Sequence, residues 1–326
     1  MEAEAFERLP IITTIPQTPV QSYIQETLAA ILDEVSFREG QLSITLKRRG
    51  KKYASLFINP RTLALETSEI QTYTTYRWPG GDMNEALKFT AKGLVVGYYQ
   101  MTTTSAGVVD ARLSNQDTLV PRMQDIHKVD LKDVAWVLVL EKEAVYRRLA
   151  SSNYHIRSAA GKGVLVTGKG YPDLSTRAFV RKLFDHSHQL TKRPQFYAFV
   201  DGDPDGMAIM ATYKYGSVAF AHENRNLNVP GLHWLGLRLA DVVAGAGPLG
   251  DDTLLRLTKR DRKKAIAMLS KNPVWEADGP EPEWRVELQR MLMLNVKAEM
   301  EILYDMEGGL TGWLDRKLVH LIQNGG

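Results

Sequence analysis

Two short stretches of this sequence carry residues that could do acid chemistry. The first reads Gln195-Phe-Tyr-Ala-Phe-Val-Asp-Gly-Asp-Pro-Asp-Gly206, an apolar and aromatic run that ends in the carboxylates of Asp201, Asp203 and Asp205. Carboxylates this close repel one another, and a divalent cation is the simplest group that relieves the repulsion. The second is the apolar run 134–140, with three valines and Trp136, which gives way directly to Glu141. Both runs have the character of buried strands. Open α/β sheets bind ligands at the carboxyl ends of their strands, where both sets of acids stand. If the two strands are neighbours, Glu141, Asp201 and Asp203 converge on one edge.

Two other readings of the acid loop compete. Its first six positions fit a calcium-loop pattern, but the twelfth is Thr212 where a bidentate Glu is required, and a strand rather than a helix precedes it. The plainer alternative is structural: Asp203 caps a helix that has Pro204 in its first turn, and Asp201 turns the chain.

The elements that must position these acids can be read in order. Residues 1–20 read as a flexible lead-in, 20–35 as a helix, and 42–46 and 53–58 as strands flanking the basic turn Lys47-Arg-Arg-Gly-Lys-Lys52. That turn suits nuclear import, a phosphate contact or simple solvation. Asp82 is placed to cap a short helix through Phe89, and 108–132 is mixed and loop-rich. Further strands are expected at 163–167 and 217–221, and helices at 142–150, 175–186 and 207–213. The helix at 175–186 has Phe179, Val180, Leu183 and Phe184 on its apolar side. Residues 234–239 read as buried. The cluster Lys259-Arg-Asp-Arg-Lys-Lys264 opens a helix that continues through Leu269, and its cations suit either a phosphate-contacting face or solvent. Residues 283–303 show one long helical pattern whose methionines read as core or oligomer face.

Composition narrows the field. The chain has 326 residues, 44% hydrophobic and 24% charged, a net charge of +3 and no cysteine. Disulfides and thiolate metal sites are excluded. No apolar run approaches the roughly 18 residues of a membrane span, and the acidic start, with Glu2, Glu4 and Glu7, does not read as a signal peptide. Gly168-Lys-Gly170 lacks the remaining residues of a P-loop. His186 and His188, two apart, do not face each other on a helix, so they make no zinc pair.

A strand ending in Glu and a later strand ending in Asp-x-Asp resembles the Toprim domain. Six motifs in one order sharpen the likeness: Leu140-Glu-Lys-Glu-Ala144, Val166-Thr-Gly-Lys-Gly-Tyr-Pro-Asp-Leu-Ser-Thr-Arg177, Asp201-Gly-Asp-Pro-Asp-Gly206, Tyr213-Lys-Tyr-Gly-Ser217, Trp234-Leu-Gly-Leu237 and Leu257-Thr-Lys-Arg-Asp261. Together they resemble the family that unites the topoisomerase VI A protein with its eukaryotic meiotic double-strand-break relatives, over roughly residues 66–320. The Glu-Lys-Glu-Ala and Tyr-Lys-Tyr-Gly-Ser forms favour the meiotic branch.

The resemblance implies an α/β fold with a Toprim-type, mostly parallel sheet flanked by helices and an incomplete winged-helix-like region before it. The implied division is 1–65 as an extension, 66–130 as the truncated winged-helix-like region and linker, and 131–326 as the Toprim domain with a helical C-terminal part. It implies Mg2+ held by Glu141, Asp201 and Asp203, with no role for Asp205, where the family varies. It also implies double-stranded DNA as substrate, a homodimer or mixed dimer, a separate ATP-binding B-type partner, no membrane, and a nuclear location. Lys92, Lys169, Arg177, Lys259 and Arg260 are candidate DNA contacts, weighed against plain solvation.

The sequence departs from the family at one place. Family members carry a winged-helix module before the Lys92-Gly-Leu94 motif, with an Arg-Asp-hydrophobic-Tyr-Tyr run whose second tyrosine attacks DNA. Here only a few residues separate Phe89 from Lys92, and no such run occurs. Tyr73 and Tyr76 lie ahead of the place where the module would begin, and a phenol with a pKa of about 10 needs a metal or base beside it to attack. Three functions remain open: a DNA-breaking tyrosyl transesterase of the ATP-hydrolysing topoisomerase class, inactive alone without that tyrosine; a non-catalytic DNA-binding or dimerising protein that supplies a metal site in trans; and a Toprim nuclease that uses water.

Overall fold

A computed structural model of the chain describes residues 43–47, 56–67, 73–77 and 92–324, apart from 105–106, 114–115, 122, 124–125, 218–220, 222–223 and 246–253. The expected helices at 20–35 and 82–89, the basic turn after Lys47 and most of the expected strand at 217–221 lie outside these residues. The chain divides into two compact units, 1–50 with 71–88, and 51–70 with 89–326. Four short strands come first: β1 (Ser43–Lys47), β2 (Leu56–Ile58), β3 (Leu65–Thr67) and β4 (Tyr73–Arg77). β1 pairs antiparallel with β4 in the first unit, and β2 with β3 in the second.

The second unit continues with β5 (Leu94–Gly97), β6 (Gln100–Thr103), β7 (Gly107–Asp110), β8 (Thr118–Leu119), β9 (Ile126–Asp130), β10 (Trp136–Leu140), β11 (Gly163–Thr167), β12 (Gln195–Phe199) and β13 (Leu232–Gly236). Its central sheet has the order β13-β12-β10-β11-β5-β8. β13, β12, β10 and β11 run parallel, β5 is added antiparallel to β11, and β8 antiparallel to β5. The valine-rich runs behave as their composition requires: every residue of β10 and β11 is buried, as expected of strands covered on both faces. β6, β7 and β9 form a separate antiparallel sheet, and β9 with most of β7 falls in the stretch 108–132 expected to be loop-rich.

Helices fill the crossovers. α1 (Glu143–Ser151) and α2 (Tyr154–Arg157) join β10 to β11, α3 (Leu174–Ser187) joins β11 to β12, and α4 (Pro204–Lys214) and α5 (Asn224–Leu227) join β12 to β13. α4 buries Met207, Ile209, Met210, Ala211, Thr212 and Tyr213, so it is an interior helix rather than a surface one. The fully buried Trp136, Phe179 and Phe199 belong to one core with the sheet, each such side chain contributing about 1.5–3 kcal/mol.

After β13 come α6 (Leu239–Gly245), β14 (Leu255–Arg256), α7 (Lys259–Lys271), α8 (Pro282–Leu294), β15 (Val296–Lys297) and α9 (Gly309–Asn324). Among the described residues the fourth parallel strand is β13. One sequence expectation is corrected here: the helical pattern at 283–303 is broken, because α8 ends at Leu294 where Asn295 takes a left-handed conformation, φ 55°, which Asn tolerates better than most residues. The chain then returns as β15 to pair with β14, and a 3-10 turn follows at Met300–Tyr304. No helix among the described residues is long and apolar enough to cross a membrane.

Candidate metal centre and nucleic-acid interface

The register of the parallel strands decides where the acids go. Leu140 of β10 lies opposite Phe199 of β12. Glu141 extends that ladder by donating its amide to Phe199 O at 3.2 Å. Its side chain then reaches across: Glu141 Oε2 accepts the Asp201 amide at 2.9 Å. A side chain on Gly206 would bring a Cβ to 2.4 Å from Asp201 O and 2.9 Å from Glu141 Oε2, so only glycine lets the helix start this close. Asp203 caps α4 as its type and place suggest, with Oδ1 accepting the Gly206 amide at 2.7 Å.

The third strand closes the same edge. The glycine-rich turn after β11 donates the Gly170 amide to Glu141 O at 2.9 Å. Lys169 in this turn has φ 54° and pairs with Glu143 at 3.2 Å. Lys92 donates its Nζ to Lys169 O at 3.3 Å. Three sequence-chosen positions, Glu141, Lys169 and Lys92, thus sit on one loop cluster.

The segment after α8 supplies what sequence reasoning missed. Gly202 and Ala298 exchange backbone hydrogen bonds of 2.8 and 3.1 Å, and the Met300 amide donates to Asp201 Oδ1 at 2.8 Å. Lys142 Nζ lies 3.0 Å from Asp201 Oδ2, 2.6 Å from Glu301 Oε2 and 3.5 Å from Glu299 Oε2. Lys297 Nζ lies 3.2 Å from Asp261 Oδ2 and 3.7 Å from Asp203 Oδ2. Lys264 is bonded to Asp205 and to the Tyr171 hydroxyl. No spacing pattern announces these lysines, because their partners come from distant parts of the chain.

Burial, and next the nearby Asp201 charge, push the Glu141 carboxyl up to about 8. Burial raises Asp201 to about 6 against the opposing pull of Lys142, and it also raises Asp203 against the Gly206 amide and Lys297. Burial therefore disfavours the ionised form of all three carboxyls, most strongly that of Glu141. No three His, Cys, Asp or Glu side chains among the described residues converge as a ready metal cage. Magnesium does not require one: it commonly takes one or two carboxylates and keeps several waters. The hard oxygens of Glu141, which has no ion pair among the described residues, and of Asp201, whose amide Glu141 holds, fit that donor set.

The basic candidates separate. Lys259 and Arg260 are exposed in the first turn of α7, behind a capping box made by Thr258 and Asp261. Arg177, expected at the surface, is corrected: it is 1% exposed and bonds Asn224 Oδ1 at 3.1 Å, so it has no route to a phosphate. The side chains of Tyr73 and Tyr76 lie outside the described residues. The sequence has one Tyr-Tyr pair, Tyr98-Tyr99, with no Arg-Asp before it. Tyr99 is 1% exposed in the core, and the Tyr98 ring lies under Lys162 Nζ at 3.8 Å. The Tyr98 amide bonds Gly163 O, at the amino end of the parallel strands. The acids are a strand's length away, at about 3.3 Å per residue.

Comparison with known proteins agrees with this architecture. Residues 136–312 match the family model for the Toprim domain of the topoisomerase 6 A subunit/Spo11 proteins. The chain is 35% identical over 213 residues to the meiotic recombination protein SPO11-1 of Oryza sativa subsp. indica, covering 65% of this chain and 52% of that protein. It is 34% identical over 215 residues to the meiotic recombination protein SPO11 of Mus musculus, covering 66% and 51%. It is 30% identical over 212 residues to the A subunit of DNA topoisomerase 6 of Arabidopsis thaliana, covering 65% and 46%. The chain spans about half the length of these relatives.

Proposed function

Because this chain belongs to the topoisomerase 6 A subunit/Spo11 family through its Toprim domain, we propose that it takes part in breaking double-stranded DNA for meiotic recombination by tyrosyl transesterification. The observation that carries this reading is the juxtaposition of Glu141 with Asp201 at the carboxyl ends of adjacent parallel strands. In this reading Glu141, Asp201 and Asp203 are the oxygen ligands of Mg2+. A divalent cation there supplies polarisation of the scissile phosphate and stabilisation of the departing 3′ oxygen. The protein groups hold and orient. The Met300 and Gly206 amides fix Asp201 and Asp203, and the turn at Gly170 braces Glu141. Lys259 and Arg260, exposed together, would meet phosphates, as would Lys92 and Lys169 on the loop cluster that holds Glu141.

The sequence between Phe89 and Lys92 favours a refinement. With no Arg-Asp-hydrophobic-Tyr-Tyr run in the sequence, and Tyr99 buried at the far end of the sheet, the attacking tyrosine comes from another protomer. This chain then supplies the metal half of a composite site in a mixed dimer in the nucleus, working with an ATP-binding B-type partner.

Incubation of the chain with plasmid and Mg2+, alone and with a protomer that carries the tyrosine, tests the proposal. Covalent protein–DNA adducts that require both chains and disappear with D201N support it. Plain nicks from this chain alone would make it a water-using nuclease. Retention of DNA without cleavage in every mixture would make it a binding protein only. Sequencing the genomic DNA between the codons for Phe89 and Lys92 adds a direct check, since an in-frame Arg-Asp-x-Tyr-Tyr segment there would return the nucleophile to this gene.

A further inference from the structure

The aspartates of the acid loop are matched one to one by lysines from three different elements. Asp201 meets Lys142, beside β10; Asp203 meets Lys297, in β15; Asp205 meets Lys264, in α7. Glu141 makes no ion pair among the described residues, its Oε2 taking the Asp201 amide instead.

The three lysines differ in what else they touch. Lys142 also faces Glu301 at 2.6 Å and Glu299 at 3.5 Å. Lys297 also faces Asp261, at 3.2 Å, closer than its 3.7 Å to Asp203. Each lysine that touches a proposed metal ligand therefore has a second carboxylate to keep, one outside the proposed ligand set. Lys264 has no second carboxylate among the described residues; its other partner is the neutral Tyr171 hydroxyl. A lysine that can shift from one acid to another leaves no stranded charge, and stranded charge is the main cost of breaking a half-buried ion pair.

We propose that Lys142 and Lys297 are exchangeable counter-cations of the magnesium site. They compete with a dication for Asp201 Oδ2 and Asp203 Oδ2, and on its arrival they pass to Glu299 and Glu301 and to Asp261. This rests on the reading that these acids hold Mg2+ and gives that site a built-in competitor. The shift also ties occupancy of the site to the segment 296–301, which carries Lys297, Glu299 and Glu301.

Direct binding of Mn2+, followed by electron paramagnetic resonance or calorimetry at pH 8.5, tests this without any activity measurement. The high pH keeps protons from replacing a removed lysine. K142M and K297M should each tighten Mn2+ binding on the order of tenfold, the loss of one half-buried charge competitor. K142R, which keeps the charge, should bind as the unaltered chain does, and K264M should change affinity by less than about twofold. K142M/E301Q removes the unpaired acid should K142M fold poorly. Unchanged or weaker binding in both K142M and K297M overturns the exchange. If the unaltered chain and D201N bind Mn2+ alike, the magnesium reading itself falls and takes this inference with it. If D201N abolishes binding but the lysine variants do not tighten it, only the exchange falls.

Discussion

The two ends of the parallel sheet are built on opposite terms. At the amino ends, Trp136 donates its indole N–H to Gly161 O at 2.9 Å and packs against Tyr154 at 5.6 Å between ring centroids. A side chain on Gly163 would drive a Cβ to 2.3 Å from the Trp136 ring. The Trp136 contacts are uncharged, and Gly163 leaves no space for a side chain; the charges at this end, Lys162 over the Tyr98 ring and Asp315 on the Tyr154 hydroxyl, each have a partner. At the carboxyl ends, four acids crowd a few residues, one of them without a lysine partner, and burial pushes Glu141 to about 8. The first end spends its contacts on cohesion. At the second, burial disfavours the charged forms of Glu141, Asp201 and Asp203, a cost that the proposed cation would relieve.

The largest expected effects should separate the two ends. Trp136→Ala should lower unfolding free energy by about 3–5 kcal/mol in urea titration, as large aromatic truncations in cores do, while the protein that remains folded keeps its Mn2+ affinity. At the other end the sign reverses. Glu141→Gln keeps an acceptor for the Asp201 amide but removes the undercompensated charge, so it should raise stability at pH 8.5 by about 1–3 kcal/mol and cost Mn2+ binding. A Glu141→Gln chain that is less stable than its parent at that pH would erase the contrast.

A pH series sharpens it. The folded pKa of Glu141 lies above its unfolded value, so its contribution to stability is full below about pH 4.5 and is lost as pH rises through about 8. Without added cation, stability attributable to this group should fall across that window, and the fall should be absent in Glu141→Gln. Protons also compete with metal here, so the gain in Tm from Mg2+ should grow between about pH 6 and 8.5. A gain that is flat with pH would mean the cation binds elsewhere. The smallest effect belongs to the exposed cations: Lys259→Gln with Arg260→Gln should reduce the salt dependence of duplex binding by about one to two contacts, without changing Mn2+ affinity.

Much of this site was legible in the sequence, and the reasons are local. β10, β11 and β12 announce themselves by short apolar runs, and Asp203 by its place before Pro204. What remained hidden depends on partners far along the chain. The adjacency of β10 and β12 is a matter of strand order, which periodicity does not encode. The arm at 296–301 is masked by helical spacing that runs through Asn295, a residue that stops the helix by its backbone conformation alone. Arg177 falls among surface-like neighbours, and only Asn224, 47 positions away, reveals that it is interior.

The exchange of hydrogen bonds between Gly202 and Ala298 bears on how this domain could be trimmed. A fragment cut where the parallel strands finish would retain every candidate ligand and still strip Asp201 of its Met300 donor and the acid loop of its backbone clasp to Ala298. A fragment meant to keep Asp201 and its loop in this geometry therefore runs through Met300, and any trimmed version used to test the proposed cation site has to include that returning arm.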